Sequence, residues 1–316
     1  MSVEPSPIVV PDVAGAAWRD AGRRFAGDRL ALAALFVLGA IVLAAALAPW
    51  IVGDLMHQSA FRQRMMDRVV VHGRPVEVVS EVGIPIGPGS AFLLGADLLG
   101  RDVLSRIVYG ARASLIVSAA GTLLALILGL AAGLFAGFYR GAWDTVISRF
   151  VDAMMAVPAL LLAIALASVL RRGSVLMMVL IIALVNWTYL ARIVRAEVLS
   201  LRERDFIEAA RALGANDAAI LARHLLPNLV GPIIVFTTLS MAGNILLESA
   251  LSFLGVGIQP PTPSWGNMIQ EGLPLFNVAW WITAFPGVAI MLTVLSLNLV
   301  GDGLKQALDP RGGGRA

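Results

Sequence analysis

The chain contains no cysteine. Disulfides, thiolate nucleophiles and thiolate metal sites are therefore excluded. Histidine is scarce as well: His57, His72 and His224 stand far apart and form no metal-ligand spacing. No P-loop, HExxH or GxSxG elbow occurs, so neither a catalytic constellation nor ATP binding by this chain itself is expected. Charge is sparse too. Only 14% of the 316 residues are Asp, Glu, Lys or Arg, where a soluble domain carries about a quarter. The arginines alternate with acids and lack an aromatic-rich polar surface, which argues against a nucleic-acid partner. No low-complexity segment and no internal repeat interrupts the chain.

What is present is apolar sequence: 58% hydrophobic residues and a mean hydropathy of +0.83. This composition predicts an all-α polytopic membrane protein with the lipid bilayer as its solvent. A membrane span needs about 20 mostly apolar residues, and six such runs lie at 30–52, 114–138, 150–170, 174–191, 229–254 and 279–301. The polar residues 1–29, with Arg19, Arg23, Arg24 and Arg29, precede the first run. That run is longer than the roughly 7–15 residues of a signal core and reads as a retained span. Six spans put both ends on one side. The N-terminal tail, the 139–149 loop, the 192–224 segment and the C-terminal tail bear arginine and are placed in the cytoplasm. Arg171-Arg172, in a short outside loop, breaks that rule and is outvoted. The net charge of +3, the pI of about 9.9 and the Arg-rich ends suit contact with anionic lipid.

Between the first two spans, residues 53–112 form an extracytoplasmic segment. Val69-Val70-Val71 and Val76-Glu77-Val78-Val79 flank Gly73-Arg74-Pro75, which predicts a small β-hairpin. Residues 195–213 carry Phe206, Ala210 and Leu213 at i, i+4 and i+7, the spacing of an amphipathic helix. Gly214 is a good helix stop, and Asn216 or Asp217 can cap a second short helix running to about Leu226, before Pro227. On periodicity alone this pair is an interfacial helix.

Charged groups at mid-bilayer cost roughly 2.5–3.5 kcal/mol and face protein or water. Glu248, with Asn244 one turn earlier, is the outstanding case. Either it lines a path or a subunit interface, or it makes a hydrogen bond within the bundle. Asn186 and Asn298 pose the same choice. Gly129, Gly133 and Gly137 repeat at i+4 and permit close helix packing. The 256–278 loop, rich in Pro and Gly around Trp265, is expected to hold no regular helix. It is a rigid connector, or else an extracytoplasmic gate or binding-protein contact through Pro261, Pro263 and Trp265.

Several motifs follow in fixed order. They are Leu94-Gly95-Ala96-Asp97, Gly100-Arg101-Asp102-Val103-Leu104-Ser105-Arg106, Tyr109-Gly110-Ala111-Arg112, Glu208-Ala209-Ala210, Gly214, Arg223-His224-Leu225-Leu226-Pro227-Asn228, Glu248-Ser249-Ala250-Leu251-Ser252-Phe253-Leu254-Gly255 and Pro263-Ser264-Trp265-Gly266. With them the chain resembles the peptide/nickel branch of ABC-importer permeases, nearest the dipeptide and oligopeptide C-type permease. Ala96 stands where that family has Thr. The resemblance spans about 94–311 and leaves 53–93 the least familiar stretch. It implies the type I importer permease fold with a cytoplasmic coupling helix pair, and a permease domain at 113–303 between the tails 1–29 and 304–316. It implies a coupling segment at 195–227 in which Glu208, Ala209, Ala210, Gly214, His224, Leu226 and Pro227 dock an ATPase. The implied partners are a homologous second permease, two ATP-binding subunits that hold ATP and magnesium, and an extracytoplasmic solute-binding protein. The chain itself would bind no cofactor. The implied place is the bacterial inner membrane and the implied cargo a peptide or peptide-like solute, with a nickel chelate or other small solute as the alternative. A secondary transporter would need inverted repeats with broken helices, and an intramembrane enzyme a paired nucleophile and base. The sequence offers neither.

Overall fold

The computed structural model describes residues 13–71, 73–170 and 173–309. The expectations for Arg171-Arg172, for His72 and for the outermost tails lie outside the described residues. Within the expected N-terminal tail, Val13–Gly27 forms α1. Asp28 then starts α2 (Arg29–Ala46), its carboxylate accepting from the Leu30 and Ala31 amides. The expected span 30–52 is broken at Leu47. Pro49 lacks an N–H and cannot continue the ladder, so a three-residue α3 (Ala48–Trp50) and a π-turn (Ile51–Leu55) carry the chain out.

Helix α4 (Val103–Tyr139) begins well before the expected residue 114, because Asp102 caps it by accepting from the Ser105 amide at 2.7 Å. The expected span 150–170 is two helices, α5 (Gly141–Met155) and α6 (Ala159–Leu170), bent by 89°. Pro158 causes the break, since the residue before a proline is driven out of the helical region. Helix α7 (Val175–Arg202) runs past the expected residue 191 into the coupling segment. The helices α8 (Asp205–Ala212) and α9 (Asp217–Ile220) follow. Helix α10 (Leu226–Phe253), α11 (Trp265–Gly272) and α12 (Trp281–Leu308) complete the chain. The expected tail 304–316 is therefore helical through Leu308.

Among the described residues, five helices are long and apolar enough to cross a membrane, and the bent pair makes a sixth if it counts as one span. Packing decides in favour of the sixth. Glycines on α4 meet α7 in rising order: Gly121 touches Ile182, Gly129 Leu190, Gly133 Val194 and Gly137 Val198. The two helices are thus parallel, and the chain between them must return across the bundle. Only α5 and α6 can make that crossing. Helix α10 runs antiparallel to α4, since Ser114 pairs with Glu248 and Thr122 with Asn244. Gly303 of α12 lies beside Ala31 of α2, so the first span begins where the last one ends.

Opposite that end sits the predicted hairpin, β1 (Arg68–Val71) with β2 (Arg74–Glu77), antiparallel and closed by an Arg68–Glu77 ion pair at 3.0 Å. It leads into a small core of Val78, Val79, Phe92 and Ala96. Gly95, at φ +83°, lets Trp281 press on the backbone there and donate to the Ala96 carbonyl at 3.0 Å. The 256–278 loop does contain a regular helix, contrary to expectation. Prolines 260, 261 and 263 precede Ser264, which caps α11 in a reciprocal box with Asn267, and Pro274 follows its end.

The glycine stripe generates a stability test. A Cβ on Gly133 would lie 2.7 Å from the Ala191 carbonyl oxygen and from Val194 Cβ, whereas one on Gly231 meets nothing within 4 Å. Gly133→Leu should destabilise by about 1–3 kcal/mol or more, seen as a lower melting temperature of the detergent-solubilised protein. Gly231→Ala should not lower it.

Candidate functional site

The segment after α7 is organised around a reversal of the chain. The helix expected at 195–213 is only Asp205–Ala212, because α7 itself extends to Arg202. Its buried face is Ile207 and Ala210, not the expected Phe206, Ala210 and Leu213. Ile207 packs with Phe138, Val198, Ile220, Leu225 and Leu229. Phe206 and Leu213 point outward, Leu213 at 89% exposure. Asp205 and Glu208 lie in the first turn and Arg211 in the last, the order the helix dipole favours.

Gly214 ends α8 at φ +81°. Its amide bonds the Arg211 carbonyl (2.9 Å) and the Ala215 amide bonds the Ala210 carbonyl (3.0 Å), the paired closure of a Schellman turn. Asn216 caps α9 by accepting from the Ala219 amide at 2.8 Å. The second helix does not stop before Pro227. A π-turn at Leu221–Leu225 shifts the ladder by one residue, and Asp217–Phe253 runs on as one helical rod. Pro227 falls in the first turn of α10, where a missing N–H costs little. Of the expected coupling residues, Glu208, Ala209, Gly214 and Pro227 are exposed, His224 and Leu226 are half-buried, and Ala210 is buried. The His224 ring lies 6.4 Å from that of Phe206.

This unit is fastened to the bundle. Arg202 donates to the Phe138 carbonyl at the end of α4, and the guanidiniums of Arg202 and Arg211 both sit over the Phe138 ring, 5.8 and 5.9 Å from its centre. Arg140 pairs with Glu203 at 2.6 Å.

The polar residues within the spans separate into two clusters. Glu248 is fully buried among hydroxyls of its own chain. Ser114 donates to Oε2 (2.8 Å) and Ser252 to Oε1 (2.7 Å), while Ser249 stands at 3.5 Å. The carboxyl thus joins α4 to α10 within this chain, the second of the two alternatives, a hydrogen bond inside the bundle. Asn244 is also buried. It accepts from Asn186 (2.9 Å) and donates to Thr122 (2.7 Å). Asn298, half-buried on α12, belongs to neither cluster. Trp265, expected as a gate or contact residue, is buried at 1% exposure and donates to the Ile107 carbonyl at 3.1 Å. Pro263 is buried beside it, and Pro261 remains at the surface.

One cluster has no counterpart among the expected site residues. Asp97 accepts from Arg101 Nε (2.6 Å) and Arg106 Nη1 (2.5 Å), and both arginines also pair with Glu271 of α11 at 2.8 and 2.6 Å. Three of the four side chains are almost wholly enclosed. Asp97 ends the Leu94–Asp97 motif and the two arginines lie in the Gly100–Arg106 motif, but their partner Glu271 is remote in sequence and lies outside any motif. Serine and threonine at 114, 118 and 122, spaced i, i+4 and i+8 along α4, were the available signal for the acceptors and donors facing α10.

Comparison with known proteins fits this geometry. Residues 125–312 match the model of the binding-protein-dependent transport system inner membrane component family, and residues 17–64 match the N-terminal TM domain of oligopeptide transport permease C. A peptide transport system permease protein of Brucella abortus is 40% identical over 310 residues, 97% of this chain and 96% of that protein. The glutathione transport system permease protein GsiD of Escherichia coli is 39% identical over 306 residues, 96% and 94% of the two chains. A solved structure titled as inward-facing conformations of the MetNI methionine ABC transporter superposes with a TM-score of 0.54 at 18% identity. It covers 65% of this chain and 97% of the other, which shows a shared fold, that of type I importer permeases. The chain therefore belongs to the binding-protein-dependent transport system inner membrane component family, as the permease subunit of an ABC importer.

Proposed function

We propose that this permease carries peptides or a peptide-like solute across the bacterial inner membrane, as half of a path completed by a homologous second permease. Relatives named for peptides and for glutathione, itself a tripeptide, favour this cargo over a nickel chelate. A solute-binding protein delivers the solute on the hairpin side. Two ATPase subunits hold ATP and magnesium and hydrolyse the nucleotide, and this chain binds no cofactor. The α8 end and both termini face the cytoplasm.

The observation that carries this reading is the α8–Gly214–α9 unit. It offers Phe206, Glu208, Ala209 and Leu213 outward while Ile207 and Ile220 lock it to the ends of α4, α7 and α10. A surface built this way transmits a push. Displacement of α8 by a closing ATPase dimer moves three spans at once, because their ends share one apolar core and the arginine contacts on Phe138. Alternating access then follows from rigid movement of this chain against its partner permease.

Gly214 tests the coupling. A β-branched residue at φ +81° costs about 1–3 kcal/mol, whereas asparagine tolerates that region. Gly214→Val should abolish ATP-driven uptake with membrane insertion retained, and Gly214→Asn should keep a substantial part of it. Normal uptake by the valine variant would remove α8 from the coupling role.

Orientation is tested by single cysteines, against a background of none. A cysteine at Glu77 should react with an impermeant maleimide in intact cells. One at Asn216 should react only after permeabilisation, and labelling at Asn216 from outside would invert the topology.

A further inference from the structure

The cluster of Thr122, Asn244 and Asn186 has a direction, fixed by its ends. The Thr122 hydroxyl has one proton and donates it to the Ser118 carbonyl at 2.7 Å. Toward Asn244 it is therefore an acceptor, so the Asn244 amide nitrogen faces it at 2.7 Å. The Asn244 oxygen must then face Asn186, whose nitrogen donates to it at 2.9 Å. The Ile182 carbonyl, which can only accept, takes the second Asn186 proton in a longer contact of 3.2 Å that agrees with this orientation. Both donors of the Asn186 amide are spent inside the bundle. Its Oδ1 has no partner among the described residues, and the residue is only half-buried.

Asn186 stands about 17 Å along α7 at ~1.5 Å per residue, well inside the ~30 Å apolar core of a bilayer. An unsatisfied carbonyl oxygen turned to lipid at that depth is unfavourable. Three helices nonetheless contribute side chains that hold it in that orientation. The neighbouring acid, Glu248, is enclosed by its serines and turned away. The site is thus uncharged and suits a neutral N–H more than an ammonium group.

We propose that Asn186 Oδ1 is a substrate contact in the translocation path, accepting the peptide-bond N–H of the transported peptide, with Asn244 and Thr122 as positioning residues. This rests on the peptide-importer reading above. The test uses the complete importer, with its second permease, ATPases and binding protein, in proteoliposomes. ATP-driven uptake of a dipeptide is compared with uptake of the same dipeptide methylated on its peptide nitrogen. The binding protein's own preference between the two is the same for every permease variant and cancels in the comparison. Asn186→Leu should shrink the ratio of parent to methylated uptake about five-fold, the scale of one hydrogen bond. Thr122→Val, buried and out of substrate reach, should shrink it in the same direction by releasing the amide polarity. An unchanged ratio in an intact Asn186→Leu complex would overturn the inference and leave the peptide reading standing. So would loss of the second permease from the purified Asn186→Leu complex, since the oxygen would then serve subunit contact. Absence of ATP-driven uptake of either peptide by the wild-type importer would overturn the peptide reading, and this inference with it.

Discussion

The parallel contact between α4 and α7 constrains every other crossing of the bundle. Small residues at 121, 125, 129, 133 and 137 let the two helices approach until a single added carbon would strike backbone at Gly129 and Gly133. In lipid, where apolar side chains gain nothing by leaving the solvent, such close backbone approach is what makes helices associate. A parallel pair obliges the intervening chain to cross back, and the intervening chain is short and carries Pro158. The broken span α5–α6 follows from these two facts together. Its return places Asp144 and Asp152 against Arg195 and Arg192 of α7, at 2.5 and 2.7 Å, so the broken span is held at its α5 half by ion pairs and at its α6 half by apolar packing on α7.

The two ends of the bundle are built on different chemistry. At the hairpin end, buried ions and capped turns predominate: Asp97, Arg101, Arg106 and Glu271 bind the entry to α4 to the helix α11. Buried charges offset their desolvation only when nearly every hydrogen-bonding group is used, and here Arg106 Nε is the enclosed nitrogen left without a partner among the described residues. At the α8 end the join is an apolar core with cations resting on one phenylalanine ring. Contacts of that kind keep most of their energy through small sliding movements, since neither dispersion nor cation–π attraction demands a fixed angle. The two ends of the fold are thus joined differently, by an enclosed charge cluster at the hairpin end and by an apolar core with its arginine contacts at the α8 end.

Much of this was legible in the sequence, for physical reasons that can be stated. Apolar runs report burial in lipid, so span number and rough position were readable, and Gly214 and Asn216 announced their turn because few other residues satisfy those backbone demands. The hairpin around Gly73 was readable for the same reason. What composition does not encode is where helices exceed the bilayer. Residues 103–113 and 192–202 carry arginines and are yet helical, since a cap at Asp102 and the packing of α7 on α4 sustain the ladder there. The π-turn at 221–225 has no composition of its own and hid the continuity of α10 behind Pro227. Prolines at 260, 261 and 263 looked like helix breakers for the whole loop, though all of them precede the cap at Ser264.

The polar residues of the spans show why type alone does not assign a role. Glu248 attracted attention as the one carboxyl deep in an apolar run, yet hydroxyls from two helices meet both of its oxygens and leave it nothing to offer outside. Asn186, less conspicuous in the sequence, has the opposite balance. Its donors are consumed by Ile182 and Asn244, and the remaining oxygen has no partner among the described residues. The difference lies in hydrogen-bond arithmetic: a carboxylate surrounded by donors is complete, whereas an amide whose two protons are both committed keeps an acceptor in reserve. Within a bilayer, where water does not fill that reserve, the unmatched acceptor marks the surface that needs another molecule.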